Sequence, residues 1–268
     1  MLEKVIKACK KAGEEILEVY SKEFTVEEKE DRTPVTEADR RAHRIITEEL
    51  KETRIPVLSE EGKEIPFKER RKWKRFWLVD PLDGTKEFIK KNGEFTVNVA
   101  LVEEGEPVLG VVYAPALEVL YFAEKGNGAY REVKGKMEKL PIGNWSRENL
   151  RVVASRSHMN EETKKFLENL EKKFGKLQFL SKGSSLKICM VAEGSADIYP
   201  RIAPTMEWDT GAGHAVAKEA GCELFVYEEG KLREPLRYNK EDLRNPSFVC
   251  LSLEIKELVE ATGGFEPP

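Results

Sequence analysis

The chain of 268 residues reads as a mixed α/β protein, an N-terminal α+β half with a mostly antiparallel sheet followed by a C-terminal α/β half. Three observations predict this. Apolar residues recur at helical spacing near the N-terminus; short apolar runs broken by Gly and Pro follow from Ile55; and after about residue 150 short strands alternate with helical stretches. A hydrophobic content of 40% supports a proper interior for a chain of this length.

Val5, Ile6, Cys9, Ala12, Ile16, Leu17 and Tyr20 mark one face of a helix over 2–20. Phe24 to Pro34 is charged and polar, a loop or short hairpin ending in Thr33-Pro34-Val35-Thr36, and Thr36 caps a second helix over 37–53. Pro56-Val57-Leu58, Phe76 to Val79, Phe95 to Val102, Val108 to Tyr113 and Val119 to Ala123 are strands, with Glu104-Gly105-Glu106-Pro107 as one of the turns between them. Gly126-Asn127-Gly128-Ala129-Tyr130 is a turn signal, and a poor phosphate loop because no helical pattern follows it. The second half predicts strands at Arg151–Ala154, Gln178–Leu180, Ala196–Tyr199 and Glu223–Tyr227, with helices over 160–174, 184–193 and 210–220. The boundary lies near Gly143 to Asn149, which divides one compact unit into 1–148 and 149–268. Thr262 to Pro268 reads as a frayed or disordered tail.

Composition excludes several classes of function. Basic and acidic residues number 45 and 49, and no basic stretch is interleaved with aromatics as a nucleic-acid groove requires. The N-terminus has no signal-peptide core, and no apolar run reaches the roughly 18 residues that cross a bilayer. Cys9, Cys189, Cys222 and Cys250 are scattered without C-x-x-C spacing and read as buried thiols of a reduced cytoplasm. His43, His158 in the Ser155-Arg156-Ser157-His158 loop, and His214 lack metal-ligand spacing. The charged fraction of 35%, rich in Glu and Lys, fits a protein that works hot.

The chemistry concentrates in Trp77-Leu78-Val79-Asp80-Pro81-Leu82-Asp83-Gly84-Thr85. An apolar strand delivers Asp80, Pro81 forces a turn, and Asp83 converges on Asp80 with the Leu82 carbonyl between them. That all-oxygen set suits Mg²⁺. Gly84-Thr85 then opens a helix whose free N–H groups suit a phosphate beside the cation. Ser59-Glu60-Glu61, Thr36-Glu37-Ala38-Asp39 and Trp208-Asp209-Thr210-Gly211-Ala212-Gly213 add further acids, each of which alone also fits a helix cap or a solvated carboxylate.

As an ordered set, Asp39, Ser59-Glu60-Glu61, Asp80 to Thr85 and Trp208 to Gly213 resemble the lithium-sensitive phosphatase superfamily of inositol monophosphatase, fructose-1,6-bisphosphatase and the bisphosphate nucleotidases. The similarity spans roughly residues 1–250 and implies the layered α-β-α-β-α sugar-phosphatase fold. Thr85-Lys86-Glu87-Phe88, Gly183-Ser184-Ser185-Leu186-Lys187 and Ala196 to Arg201 resemble the CysQ-type 3′(2′),5′-bisphosphate nucleotidase branch. Met206-Glu207 departs from that branch in being more acidic just ahead of Trp208.

The resemblance implies that Glu60, Asp80, Asp83 and Asp209, with the Leu82 carbonyl, bind two or three Mg²⁺ ions. It implies that Glu60 and Thr85 aim a water at phosphorus, with Asp39 polarising Thr85. Substrate would meet Asp83, Gly84, Thr85 and Asp209, with Gly183 and Ser184 flanking the sugar. Lys187 and Arg201 are either the holders of a second phosphate or ordinary basic residues in solvent or in ion pairs. The expected partner is a small phosphorylated molecule, a nucleotide bisphosphate or a sugar or inositol phosphate, with no nucleic-acid polymer and no membrane. A cytoplasmic monomer or homodimer is expected, and a regulatory binding role on the same fold stays open beside the hydrolase.

Overall fold

The computed structural model describes residues 1–29, 34–154 and 159–265. Thr33, the 155–158 loop with His158, and residues 266–268 of the tail lie outside the described residues. Along the chain run α1 (Leu2–Tyr20), β1 (Val26–Glu28), β2 (Pro34–Thr36), α2 (Glu37–Lys51), β3 (Val57–Ser59), α3 (Phe67–Arg70), β4 (Arg75–Asp83) and α4 (Thr85–Ile89). Then come β5 (Thr96–Glu103), β6 (Glu106–Ala114), β7 (Val119–Glu124), β8 (Gly128–Val133), β9 (Lys136–Lys139), β10 (Arg151–Ala154), α5 (Glu161–Phe174), β11 (Gln178–Ser181) and α6 (Leu186–Glu193). The chain finishes with β12 (Ile198–Arg201), β13 (Thr205–Met206), α7 (Glu207–Glu219), β14 (Cys222–Glu228), β15 (Lys231–Pro235), β16 (Arg244–Asn245), β17 (Phe248–Ser252) and α8 (Leu253–Ala261).

Five layers follow from where the apolar faces go. Strands β3 to β9 pair in sequence order into one sheet, parallel only between β3 and β4. Its strands β4 to β7 are apolar on both sides because both are covered. Trp77, Val79, Val97, Val99, Leu109 and Val111 pack against Val5, Ile16, Ala42 and Ile46 of α1 and α2. Alternate residues Phe76, Leu78, Ala100 and Val112 meet Leu186, Ile188, Val191, Ala212 and Val216 of α6 and α7. The second sheet, ordered β11-β10-β12-β17-β14-β15, covers α6 and α7 with Val153, Leu224, Phe248 and Cys250. Its far face carries Val152, Ile198, Val249 and Leu251 against Phe166 and Leu170 of α5 and Ile255 and Val259 of α8. The order α-β-α-β-α is the layered fold expected from the sequence.

α7 lies in the middle layer and is buried nearly all round, which its small residues permit. A Cβ on Gly110 of β6 would stand 2.3 Å from the Ala212 carbonyl, so glycine there lets the helix rest directly on the sheet.

Several expectations are corrected. The β4 strand does not turn at Pro81: it continues to Asp83 through a bulge, with Asp80 opposite Asn98 and Asp83 opposite Thr96. Two residues there face one, and proline is tolerated because a bulge needs no ladder N–H. The helix expected over 210–220 starts at Glu207, so Asp209 stands in its first turn rather than at a strand end. The second sheet is mixed, because β17 pairs antiparallel with both β12 and β14. Phe265 is only 1% exposed and packs on Phe166 and Tyr227, so the tail is anchored at least that far. The four cysteines are free and buried.

Candidate active site

Three acids from three parts of the chain meet at one point, and a fourth stands close by. Glu60 follows β3, and its N–H donates to the Val79 carbonyl at 3.1 Å. Asp80 is 1% exposed; its Oδ1 accepts the Leu82 N–H at 3.1 Å, and its Oδ2 has no donor among the described residues. Asp209 accepts the Met206 N–H at 2.7 Å as the first turn of α7 closes. One carboxylate oxygen from each of Glu60, Asp80 and Asp209 lies within 4.8 Å of the other two. Asp83, one bulge beyond Asp80, accepts the Ser185 N–H at 2.6 Å and its hydroxyl at 3.0 Å, which fixes the start of α6 against the first sheet.

Such a cluster is electrostatically unfavourable by itself. Burial, and then the charges of Glu60, Asp83 and Asp209, push the Asp80 carboxyl well above the usual carboxylate range. Burial and Asp83 push Asp209 up to about 8. Asp83 and Glu60 are raised mainly by burial, against the pull of Lys187 and Lys29 respectively. An orphaned oxygen inside a buried all-carboxylate set is the donor chemistry of a hard divalent cation, so the residues fit Mg²⁺.

Beside the acids lies the phosphate cradle. Gly84 has φ +89°, and a Cβ there would press on Ser184 and on the Glu94 carbonyl at 3.2 and 3.3 Å. The Thr85 hydroxyl lies 3.2 Å from Asp39 Oδ1 and 3.4 Å from the Leu82 carbonyl. Asp39 Oδ2 accepts the Thr36 N–H at 2.8 Å and its hydroxyl at 2.7 Å, so the acid that closes the capping box of α2 with Thr36 also reaches Thr85. Burial raises the Asp39 carboxyl.

A cavity of about 520 Å³ runs from these acids to Lys187 and Arg201. Lys187 is 6% exposed, donates to the Ser184 carbonyl at 2.6 Å and lies over the Tyr199 ring. Burial pushes its amine down to about 8, with Arg201 adding to the shift and Asp83 opposing it. Arg201 donates to the Pro204 carbonyl at 3.1 Å and keeps a buried Nε without an acceptor among the described residues. Ser184 lines the cavity and Gly183 does not. The Gly183 N–H is held by Glu94 at 2.8 Å, and a Cβ there would meet Glu94 and Glu87 at 2.7 Å. Close packing accounts for a glycine at that position.

The model of the inositol monophosphatase family matches residues 1–262. The chain belongs to the inositol monophosphatase family. It is 48% identical over 253 residues to the 3′(2′),5′-bisphosphate nucleotidase CysQ of Salmonella typhimurium, covering 92% of this chain and 98% of that protein. The CysQ of Escherichia coli K12 is also 48% identical, over 256 residues. Among solved structures, CysQ from Bacteroides thetaiotaomicron superimposes with a TM-score of 0.84 at 50% identity, covering 94% of this chain and 96% of that one. The Thermotoga maritima IMPase gives 0.74 at 29% identity, covering 96% and 94%. Members of the family are metal-dependent phosphatases of small phosphorylated molecules, and the acidic cluster of this chain is one that could hold a metal. No helix among the described residues is long and apolar enough to cross a membrane.

Some residues of the site escape sequence reasoning. Lys29 donates to Glu60 at 3.0 Å and pairs with Glu61, yet a lone lysine in a charged stretch carries no signature. Ser185 was visible only as part of Gly183-Ser184-Ser185. Thr96 and Asn98 hold its hydroxyl, each at 2.9 Å, from a strand that otherwise reads as apolar.

Proposed function

We propose that the chain hydrolyses 3′(2′)-phosphoadenosine 5′-phosphate to AMP and phosphate, with two or three Mg²⁺ ions held by Glu60, Asp80, Asp83, Asp209 and the Leu82 carbonyl. When bound, Mg²⁺ lowers the pKa of water and offsets charge on phosphoryl oxygens. Glu60 and the Thr85 hydroxyl orient the attacking water, and Asp39 keeps Thr85 aligned by accepting from it. The N–H groups of Gly84 and Thr85 hold the scissile phosphate at the start of α4. Lys187 and Arg201 receive the second phosphate, Arg201 with the free Nε it keeps in the cavity wall.

The observation that carries this reading is the polarity of one cavity. Acids that fit metal stand at one end, and at the other stand Lys187, buried, and Arg201, half-buried, neither with an ion pair among the described residues. A substrate with two separated phosphates uses both ends, whereas inositol 1-phosphate uses one. The CysQ relatives, named for the same reaction, support the choice. The half 1–148 supplies most of the metal ligands, and 149–268 adds Asp209 and the specificity residues, in a cytoplasmic monomer or homodimer.

Phosphate release from 3′-phosphoadenosine 5′-phosphate, inositol 1-phosphate and fructose 1,6-bisphosphate at equal concentration tests the assignment. The nucleotide is expected to have the highest kcat/KM, and a nucleotide that ranks last overturns the reading.

A further inference from the structure

Glu207 stands two residues before Asp209, in the first turn of α7. It is 0% exposed. Its carboxylate accepts the Asn239 N–H at 2.7 Å, the Lys240 N–H at 3.0 Å and the Lys240 amine at 2.6 Å. A buried carboxylate with three donors is satisfied, and it binds segment 239–240 to the first turn of α7.

The same segment is gripped from its other side. Arg70, 4% exposed, donates to the Asn239 side chain at 3.2 Å and to the carbonyls of Lys240 and Glu241 at 2.6 and 2.8 Å. Its Nε reaches back to the Ile65 carbonyl at 3.2 Å, in the loop that leads away from Glu60. Asn239 returns a bond to the Arg70 carbonyl at 2.7 Å and has φ +67°, a left-handed backbone that surrounding contacts must hold in place. Two buried charges of opposite sign therefore do not pair with each other. Each binds the backbone between them.

This arrangement joins two carriers of the acidic cluster. Glu60 lies on the segment that Arg70 ties down, and Asp209 on the helix that Glu207 opens. We propose that Glu207 and Arg70 are positioning residues which, through residues 239–241, set the spacing between Glu60 and Asp209 and thereby the affinity of the site for a divalent cation. Neither touches substrate or the reacting atoms. Oriented supports of this kind change metal affinity when they are removed, because the ligands must then be ordered at the moment of binding.

The inference rests on the assignment of Glu60 and Asp209 to metal. Calorimetric titration of Mg²⁺ into metal-free full-length protein, with thermal melts alongside, tests it on wild type, Glu207→Gln, Arg70→Lys and Glu193→Gln. Glu193 serves as the comparison because it is also a buried carboxylate, held by Tyr121 and Arg131 and outside the cavity lining. Mg²⁺ Kd is expected to weaken about tenfold in Glu207→Gln and Arg70→Lys, and to stay at the wild-type value in Glu193→Gln even though its melting temperature falls. Wild-type Kd in both Glu207→Gln and Arg70→Lys overturns the positioning role and leaves the metal assignment intact. A wild type that takes up no Mg²⁺ overturns both. Arg70→Lys keeps the charge and most of the volume, so it decides the matter if Glu207→Gln does not fold.

Discussion

At the scale of single residues, Asp83 has two tasks that substitution can separate. One is architectural, since its Oδ2 accepts both the amide and the hydroxyl of Ser185. The other is charge beside Asp80 and Asp209. Asn keeps an acceptor for Ser185 and loses the charge, so Asp83→Asn is expected to fold with an unchanged far-UV spectrum. Its phosphatase activity is expected to fall by about 100-fold or more, the scale of metal-based charge stabilisation. Full activity would sink the metal assignment. Thr85→Val tests the neighbouring role. It removes the hydroxyl that meets Asp39 while leaving the carboxylates in place, so kcat should fall about 100-fold with Mg²⁺ Kd unchanged by calorimetry. Asp80 and Asp83 stood out because they end an apolar run just before a helix start, whereas Glu60 and Asp209 each also fit a solvated acid or a helix cap and joined the set only through the family resemblance. Lys29 and Glu207 did not stand out, because their roles depend on partners 31 and 32 residues away.

At the scale of elements, helices α1, α2, α5, α6 and α7 and the first five strands of the large sheet were readable from periodicity, since burial on one or both faces writes itself into apolar spacing, while α3 and α8 were missed. β17 was not, although Phe248-Val249-Cys250-Leu251 is a plain apolar run. What sequence could not supply was its place between β12 and β14, a pairing across distant parts of the chain. β8 and β9 were hidden because they carry charged residues on a sheet edge and read as a turn region. The start of α7 was misplaced by three residues because Trp208 and Asp209 resemble a strand end in isolation. The seating of α7 on β6 yields a further prediction. Gly110→Ala would set a methyl 2.3 Å from the Ala212 carbonyl and 2.8 Å from the Ala215 Cβ, both on the helix rather than on a flexible side chain. Relief requires α7 to lift, so stability by chemical denaturation should drop about 1–3 kcal/mol. An unchanged midpoint would mean that helix and sheet are less tightly seated than these distances say.

At the scale of the whole molecule, the five layers converge on a buried group of carboxylates that oppose folding until a cation joins them. Asp209 titrates at about 8 in the folded protein, while a carboxyl in the unfolded chain titrates near 4. Between those values the folded state holds protons that the unfolded state has released, so stability falls as pH rises. Asp80, Asp83 and Glu60, each raised for the same first reason, add to the slope. The metal-free protein is therefore expected to melt at a lower temperature at pH 8 than at pH 5. A divalent cation binds the deprotonated carboxylates, so its stabilising effect must grow across the same window. At pH 8, free Mg²⁺ at 100 times its Kd should add about 2.7 kcal/mol, which for a chain of this size is roughly 5–10 °C in melting temperature. At pH 5 the same concentration should add much less, because protons already neutralise the cluster. Melting curves at the two pH values, with Mg²⁺ and with a chelator, check both signs together. A metal-free protein that is more stable at pH 8 would mean that the acids are solvated or paired in solution, and that the cluster does not rely on a cation to offset its charge.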